Sequence, residues 1–206
     1  MDGTLIEGRL AFALADRFDL YSKVRAVQTS GVAGHEQTKA IAALFAGLTR
    51  RDVEDAIESI PLIRNCEQTM AALRGRGYII GIISDSYTLA AGAVAKRLHL
   101  DFVAANELEM ENDRITGRVG MPLGWDKIGC YCKISVCKRY HLENIAKQYD
   151  VPMESTLAVG DTRSDICMIQ RAGAGVAFMP KDNEIAAATD KIITESDLLK
   201  VLEFAA

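Results

Sequence analysis

From about Cys66 onward the chain alternates helix-patterned segments with short β-branched runs, at Tyr78 to Ile83, Asp101 to Ala104, Thr156 to Gly160, Gly175 to Phe178 and Lys191 to Ile193. Parallel neighbours in a sheet need a long crossover between them, and a helix supplies it, so this alternation predicts a parallel sheet covered by helices. Residues from about Gly8 to Asn65 break the pattern and read as helices only. Their clearest segment is Arg51 to Ile60, where Val53, Ala56, Ile57 and Ile60 recur at i, i+3, i+4 and i+7 after a Thr49-x-x-Asp52 capping box and before Pro61. Two further runs, Leu108 to Glu111 and Arg114 to Val119, flank Asn112-Asp113 and predict a β-hairpin. The expected architecture is an α/β core with a helical insertion near its start and a small hairpin insertion later.

Composition narrows the partners. The 206 residues are 49% hydrophobic and carry 24 Lys and Arg against 28 Asp and Glu, a net charge of −4 spread without a basic block or acidic tail. Nucleic acid and anionic membrane are therefore excluded as first expectations. The most apolar stretch, Tyr78 to Ser84, is far shorter than the roughly 20 residues that span a bilayer, and Met-Asp-Gly-Thr is no signal peptide, so a cytoplasmic location is expected. Five cysteines, Cys66, Cys130, Cys132, Cys137 and Cys167, are an odd number that predicts free thiols. A sharper alternative is a zinc site from Cys130, Cys132, Cys137 and His141, although this stretch reads as helical from about Lys133.

Open parallel sheets bind ligands at the carboxyl ends of their strands. Polar residues stand at three such places: Asp2-Gly3-Thr4, Ser84-Asp85-Ser86 and the run Gly160 to Asp165. Asp161 and Asp165, four apart at a helix start, suit a hard cation that takes one or two carboxylates and keeps its waters. The alternative is a helix N-cap and a solvated first-turn acid. Ser84 either donates to a phosphate oxygen or caps a helix, and Lys138 is either a phosphate-neutralising cation or a helix-surface lysine. His35, His99 and His141 show no nucleophile or base partner and read as surface or packing residues. Gly124 and Trp125 follow the hairpin, at the mouth of a site or in ordinary packing.

The ordered set Asp2-Gly3-Thr4-Leu5, Ser84 at a strand end, Lys138 on a helix and Val159-Gly160-Asp161-x-x-x-Asp165 resembles the four motifs of the haloacid dehalogenase superfamily of phosphatases. Arg74-Gly75-Arg76-Gly77-Tyr78, Ala105-Asn106, the Lys138 to Asp161 spacing and Leu157-Ala158-Val159-Gly160-Asp161 resemble its phosphoserine phosphatase branch, over nearly the whole chain. The resemblance implies a Rossmann-like core of residues 1–7 and 66–206 and a helical cap of residues 8–65. It implies Mg²⁺-dependent hydrolysis of a small phosphorylated metabolite, phosphoserine first among candidates, through an aspartyl phosphate. Asp2 matches the aspartate that protonates the leaving oxygen and then activates water, and its carbonyl ligates Mg²⁺. Asp161 supplies a carboxylate to the same ion and Asp165 supports it. Ser84, the Asp85 N–H and Lys138 hold the phosphoryl oxygens, beside Gly3 and Thr4.

Three departures accompany the resemblance. The attacking aspartate falls one residue before Met1, together with the apolar strand that normally carries it. Loss of a nucleophile costs about 10⁶ in rate, roughly 8 kcal/mol of barrier. Four or five buried apolar side chains at roughly 1.5 to 3 kcal/mol each approach a domain's whole stability. The expectation is a start assigned too late, with the 206-residue chain nearly inactive. Asp85 and Ser86 stand where the branch has two glycines, and Glu36 to Ala43 offers no arginine for a substrate carboxylate, only Lys39. Two rival readings stay open: a phosphotransferase to a small alcohol such as homoserine, and a non-catalytic protein that binds phosphate esters. A generic α/β domain whose aspartates cap helices is a third. The oligomeric state is left open.

Overall fold

The computed structural model describes residues 1–205. Four helices follow the first turn: α1 (Leu10–Arg17), α2 (Tyr21–Gln28), α3 (Gly34–Leu44) and α4 (Arg50–Ser59). The Thr49 hydroxyl accepts from the Asp52 N–H while the Asp52 carboxylate accepts from the Thr49 N–H, so the expected capping box is present at the start of α4. Val53, Ala56, Ile57 and Ile60 are all buried, which fixes the face of α4 that packs against α1 and α6 (Thr88–Leu98). Helix α5 (Cys66–Gly75) then leads into the sheet region.

Strand β1 (Gly81–Tyr87) pairs in parallel with β2 (Phe102–Glu111), and β2 turns back antiparallel to β3 (Arg114–Gly120). The turn residues Asn112 and Asp113 both have positive φ, 48° and 63°, the backbone that a tight hairpin turn requires. The hairpin lies on the helical segment: Gly47 N–H donates to the Ile115 carbonyl, Ile115 N–H to that of Leu48 and Arg50 N–H to that of Asp113. After α7 (Lys138–Gln148), strands β4 (Leu157–Gly160), β5 (Ala174–Phe178) and β6 (Ile192–Ile193) pair in parallel, with α8 (Ile166–Ile169) and α9 (Asn183–Ala186) between them.

Three expectations change. The sheet is two three-stranded sheets, β1-β2-β3 and β4-β5-β6, in place of one. Residues 1–6 coil into turns, with Leu5 N–H on the Met1 carbonyl and Gly3 N–H on those of Ile6 and Gly8, so no strand lies between β1 and β4 among the described residues. A cavity of about 510 Å³, lined by Ile82, Ile83, Leu157, Val159 and Leu5 among others, occupies that gap. Next, β1 starts three residues later than expected and runs through Ser84, Asp85 and Ser86, because Tyr87 pairs with Asn106 and prolongs the ladder. Finally, residues 133–137 are not helical; Lys133 has φ +46° and the helix begins at Lys138. No helix among the described residues is long and apolar enough to cross a membrane.

Candidate active site

Strand β4 ends at Gly160, and the chain turns so sharply there that a Cβ on Gly160 would stand 2.3 Å from the Asp165 Cβ and Cγ. The absence of a side chain is what lets Asp165 fold back under the strand end. Its Oδ2 accepts from the N–H groups of Asp161 and Thr162, both at 3.1 Å, and its Oδ1 accepts from Lys138 Nζ at 2.5 Å. Asp165 is thus buried, with both oxygens accepting hydrogen bonds, and is not a solvated first-turn acid. Lys138, the first residue of α7, is buried with it.

The charges are set by this packing. Burial alone would lower the Lys138 pKa, but the carboxylates of Asp165 and Asp85 outweigh it and hold the lysine charged. Burial likewise raises the pKa of Asp165, and the ammonium of Lys138 beside it reverses the sign, holding Asp165 below the ordinary carboxylate range. Asp161 is different. It is buried and its carboxylate receives no hydrogen bond from the described residues; burial first, then the neighbouring Asp165, pushes its pKa up to about 6.

The first turn of the chain closes on the same point. Gly3 has φ +73°, and a Cβ there would lie 2.1 Å from Asp161 Oδ2, so only glycine lets the Asp2-Gly3 backbone approach that carboxylate. The Oδ1 of Asp2 is buried without a hydrogen-bond partner, and burial, with the Asp85 carboxylate adding to it, pushes its pKa up to about 6. Thr4 is buried behind it. A buried carboxylate oxygen without a partner on Asp2, and the Asp161 carboxylate beside the Asp2-Gly3 backbone, are an all-oxygen set of the kind that suits a hard divalent ion.

Ser84 is buried in β1 and its Oγ accepts from the Ser86 N–H at 3.1 Å. It caps no helix, since α6 starts at Thr88 with Tyr87 in the cap position. Asp161 caps none either, because Thr162 forms the capping box with Asp165. Asp85 is exposed at the rim, and its carbonyl accepts from Asn106 Nδ2 at 2.7 Å. Lys39 is paired with Glu36 at 2.8 Å.

Two residues escaped the sequence reading as members of the site. Arg9 is exposed yet stands within electrostatic reach of both Asp2 and Asp161. Its proximity to Asp2 in sequence was the only available signal. Asn106 is fully buried, donating to Asp85 and to the Ser135 hydroxyl while its Oδ1 lacks a partner; a polar residue ending the apolar run Phe102 to Ala105 was its trace.

The five cysteines are unpaired with one another. Cys130, Cys132 and Cys137 do meet a fourth residue, but it is Cys167 and not His141. His141 follows Cys137 by one helical turn, its N–H on the Cys137 carbonyl, and its Nε2 is buried with no partner.

Comparison with known proteins identifies the family. The model of the haloacid dehalogenase-like hydrolase family matches residues 1–170. The chain is 35% identical over 195 residues to the phosphoserine phosphatase SerB2 of Mycobacterium tuberculosis, covering 92% of this chain but only 46% of that protein. It is 28% identical over 207 residues to the phosphoserine phosphatase of Methanocaldococcus jannaschii, covering 98% of this chain and 93% of the relative. Among solved structures, a phospho-aspartyl intermediate analogue of a phosphoserine phosphatase superposes with a TM-score of 0.87 at 26% identity, over 100% of this chain and 96% of that one. A substrate-bound phosphoserine phosphatase gives 0.86 at 26% identity, over 100% and 95%.

Proposed function

This chain belongs to the haloacid dehalogenase-like hydrolase family, and from that premise we propose that its site serves the Mg²⁺-dependent hydrolysis of a small phosphomonoester, phosphoserine first. The observation that carries this reading is the convergence of buried Lys138, Asp161 and Asp165 with the first turn of the chain, where Asp2 Oδ1 is buried without a hydrogen-bond partner.

In this reading Asp161 and the Asp2 carbonyl would hold Mg²⁺, and Asp165, whose oxygens both accept hydrogen bonds, fixes the Lys138 ammonium and the strand-end turn. When bound, the ion neutralises phosphoryl charge and orients the ester for in-line attack. Lys138, Ser84 and the Asp85 N–H take the phosphoryl oxygens. The mechanism of the family calls for an aspartate two positions before the one that Asp2 matches, to attack phosphorus and form an acyl phosphate; that position lies outside these 206 residues. Asp2, its pKa near 6, passes its proton to the departing alkoxide. It then accepts a proton from the water that attacks the acyl phosphate, releasing inorganic phosphate and the free carboxylate. Residues 8–65 act as the cap over this space and the remainder as the core. At the rim, exposed Arg9 and Asp85 offer one positive and one negative group, which fits a substrate that is itself an amino acid.

The test is phosphate release from phosphoserine and a panel of phosphomonoesters, with and without Mg²⁺. It compares the 206-residue chain with the same chain extended by an apolar strand ending in Asp directly before Met1. We expect the extended chain to turn over with Mg²⁺ and to lose turnover with Asp161→Asn. The unextended chain should be slower by about 10⁶. Full turnover by the Asp161→Asn form, or product that appears only when an acceptor alcohol is added, would overturn the reading.

A further inference from the structure

The segment 121–137 between β3 and α7 carries no helix or strand; an isolated bridge between Leu123 and Val136 is its one ladder contact. Connections of this length inside a packed protein need a reason to hold still. This one is not idle: Gly34, the first residue of α3, packs on Ile134, and His35 Nδ1 is 3.0 Å from the Lys133 carbonyl. The segment therefore supports the start of a cap helix, and something must fix it.

Four sulfurs sit where that fixing is needed. The Sγ atoms of Cys130, Cys132, Cys137 and Cys167 all lie within 4.8 Å of one another. Cys130, Cys137 and Cys167 are buried, and Trp125, Ile128 and Tyr140 pack around them. The set joins two parts of the chain: three members belong to the segment and its end, while Cys167 is on α8. The Arg139 guanidinium is within electrostatic reach of Cys130 and Cys137.

We propose that Cys130, Cys132, Cys137 and Cys167 bind one Zn²⁺ as four thiolates, forming a structural centre that ties the 121–137 segment to α8. Zinc–sulfur bonds of about 2.3 Å place the corners of a tetrahedron about 3.8 Å apart, so the sulfurs need to close in by about 1 Å at most. Four thiolates in a closed tetrahedral set select zinc over the hard cations that the carboxylates would take. Binding releases four protons from the thiols to solvent, with no oxidation, and leaves a centre of charge −2 facing the α7 N-terminus and Arg139. Cys137 directly precedes Lys138, and Cys167 follows Asp165 by two residues. The centre would thus hold in place the two elements that carry that buried ion pair, without touching substrate.

The experiment uses the full chain, reduced and freed of metal, titrated with Co²⁺ and then Zn²⁺. We expect one Co²⁺ per chain, with the near-ultraviolet sulfur charge-transfer band and intense visible bands of a tetrahedral thiolate site, lost when Zn²⁺ displaces it. Cys167→Ala should abolish the band, and His141→Ala and Cys66→Ala should keep it. X-ray absorption of the zinc-loaded wild-type chain should show four sulfurs at about 2.3 Å, a readout that needs no variant to fold. Absence of the charge-transfer band, nitrogen or oxygen in the first shell, or dependence on His141 in place of Cys167 would overturn the proposal.

Discussion

Lys138 Nζ donates to Asp165 Oδ1 at 2.5 Å, and each side chain is only 5% exposed. The two residues are 27 apart in sequence, one at the start of α7 and the other just before α8, so this ion pair ties the start of α7 to the strand-end turn after β4.

A buried pair of this kind tolerates loss of one member badly, because the other stays charged in a dry site. Lys138→Met and Asp165→Asn should each destabilise the chain by about 3 to 5 kcal/mol. Denaturant unfolding checks this, and a loss below about 1 kcal/mol, the ceiling for exposed pairs, would contradict it.

Asp2 and Asp161 predict a pH dependence of the opposite kind. Their pKa values rise from an ordinary 3.8 to about 6 on folding. Between these limits the folded chain binds more protons than the unfolded one, so stability falls as pH rises from about 4 to about 6. The lowered carboxylates act only beneath about pH 4.5, whereas burial holds His141 below its ordinary 6.5 and offsets part of the decline as pH rises toward that value. Urea midpoints measured in chelator from about pH 4.5 to 7.5 should therefore decline, and Asp161→Asn should flatten the decline. Added Mg²⁺ should raise the midpoint at the upper end of the range more than at the lower.

The rim gives a substrate prediction. Arg9→Ala should raise KM for phosphoserine by about tenfold or more, the value of one hydrogen bond to a charged group, with a smaller change in kcat. Phosphoethanolamine, which lacks the carboxylate, should be nearly indifferent to the same change. Equal effects on both esters would remove Arg9 from substrate recognition.

The capping box of α4 is a local test. Thr49→Ala should cost about 1 kcal/mol. The hydrogen bonds from the Thr49 N–H and hydroxyl hold Asp52 below the ordinary carboxylate range, so its contribution is present above the unfolded pKa and lost as pH falls through the folded one. The difference in unfolding free energy between wild type and Asp52→Asn should shrink over that interval.

What could be read from the sequence was what neighbouring residues decide among themselves. Helix α4 follows from its i, i+3, i+4, i+7 apolar set and its Thr49-Asp52 box. The β2-β3 hairpin follows from Asn112-Asp113, two residues that tolerate positive φ. The family was legible because its motifs keep their order along the chain even when each is weak alone. Tertiary structure decided what depends on residues far apart. Ser84 lies within β1 because Tyr87 finds Asn106 on another strand. Arg9 reaches the site because the first turn folds onto Asp161. The fourth thiol is Cys167, 30 residues beyond Cys137, and not the nearby His141. Hydrogen bonds and torsional preferences act over a few residues, so local sequence determines helices and turns. Burial, charge pairing and metal-binding geometry depend on which elements pack together, and no spacing along a single chain encodes that.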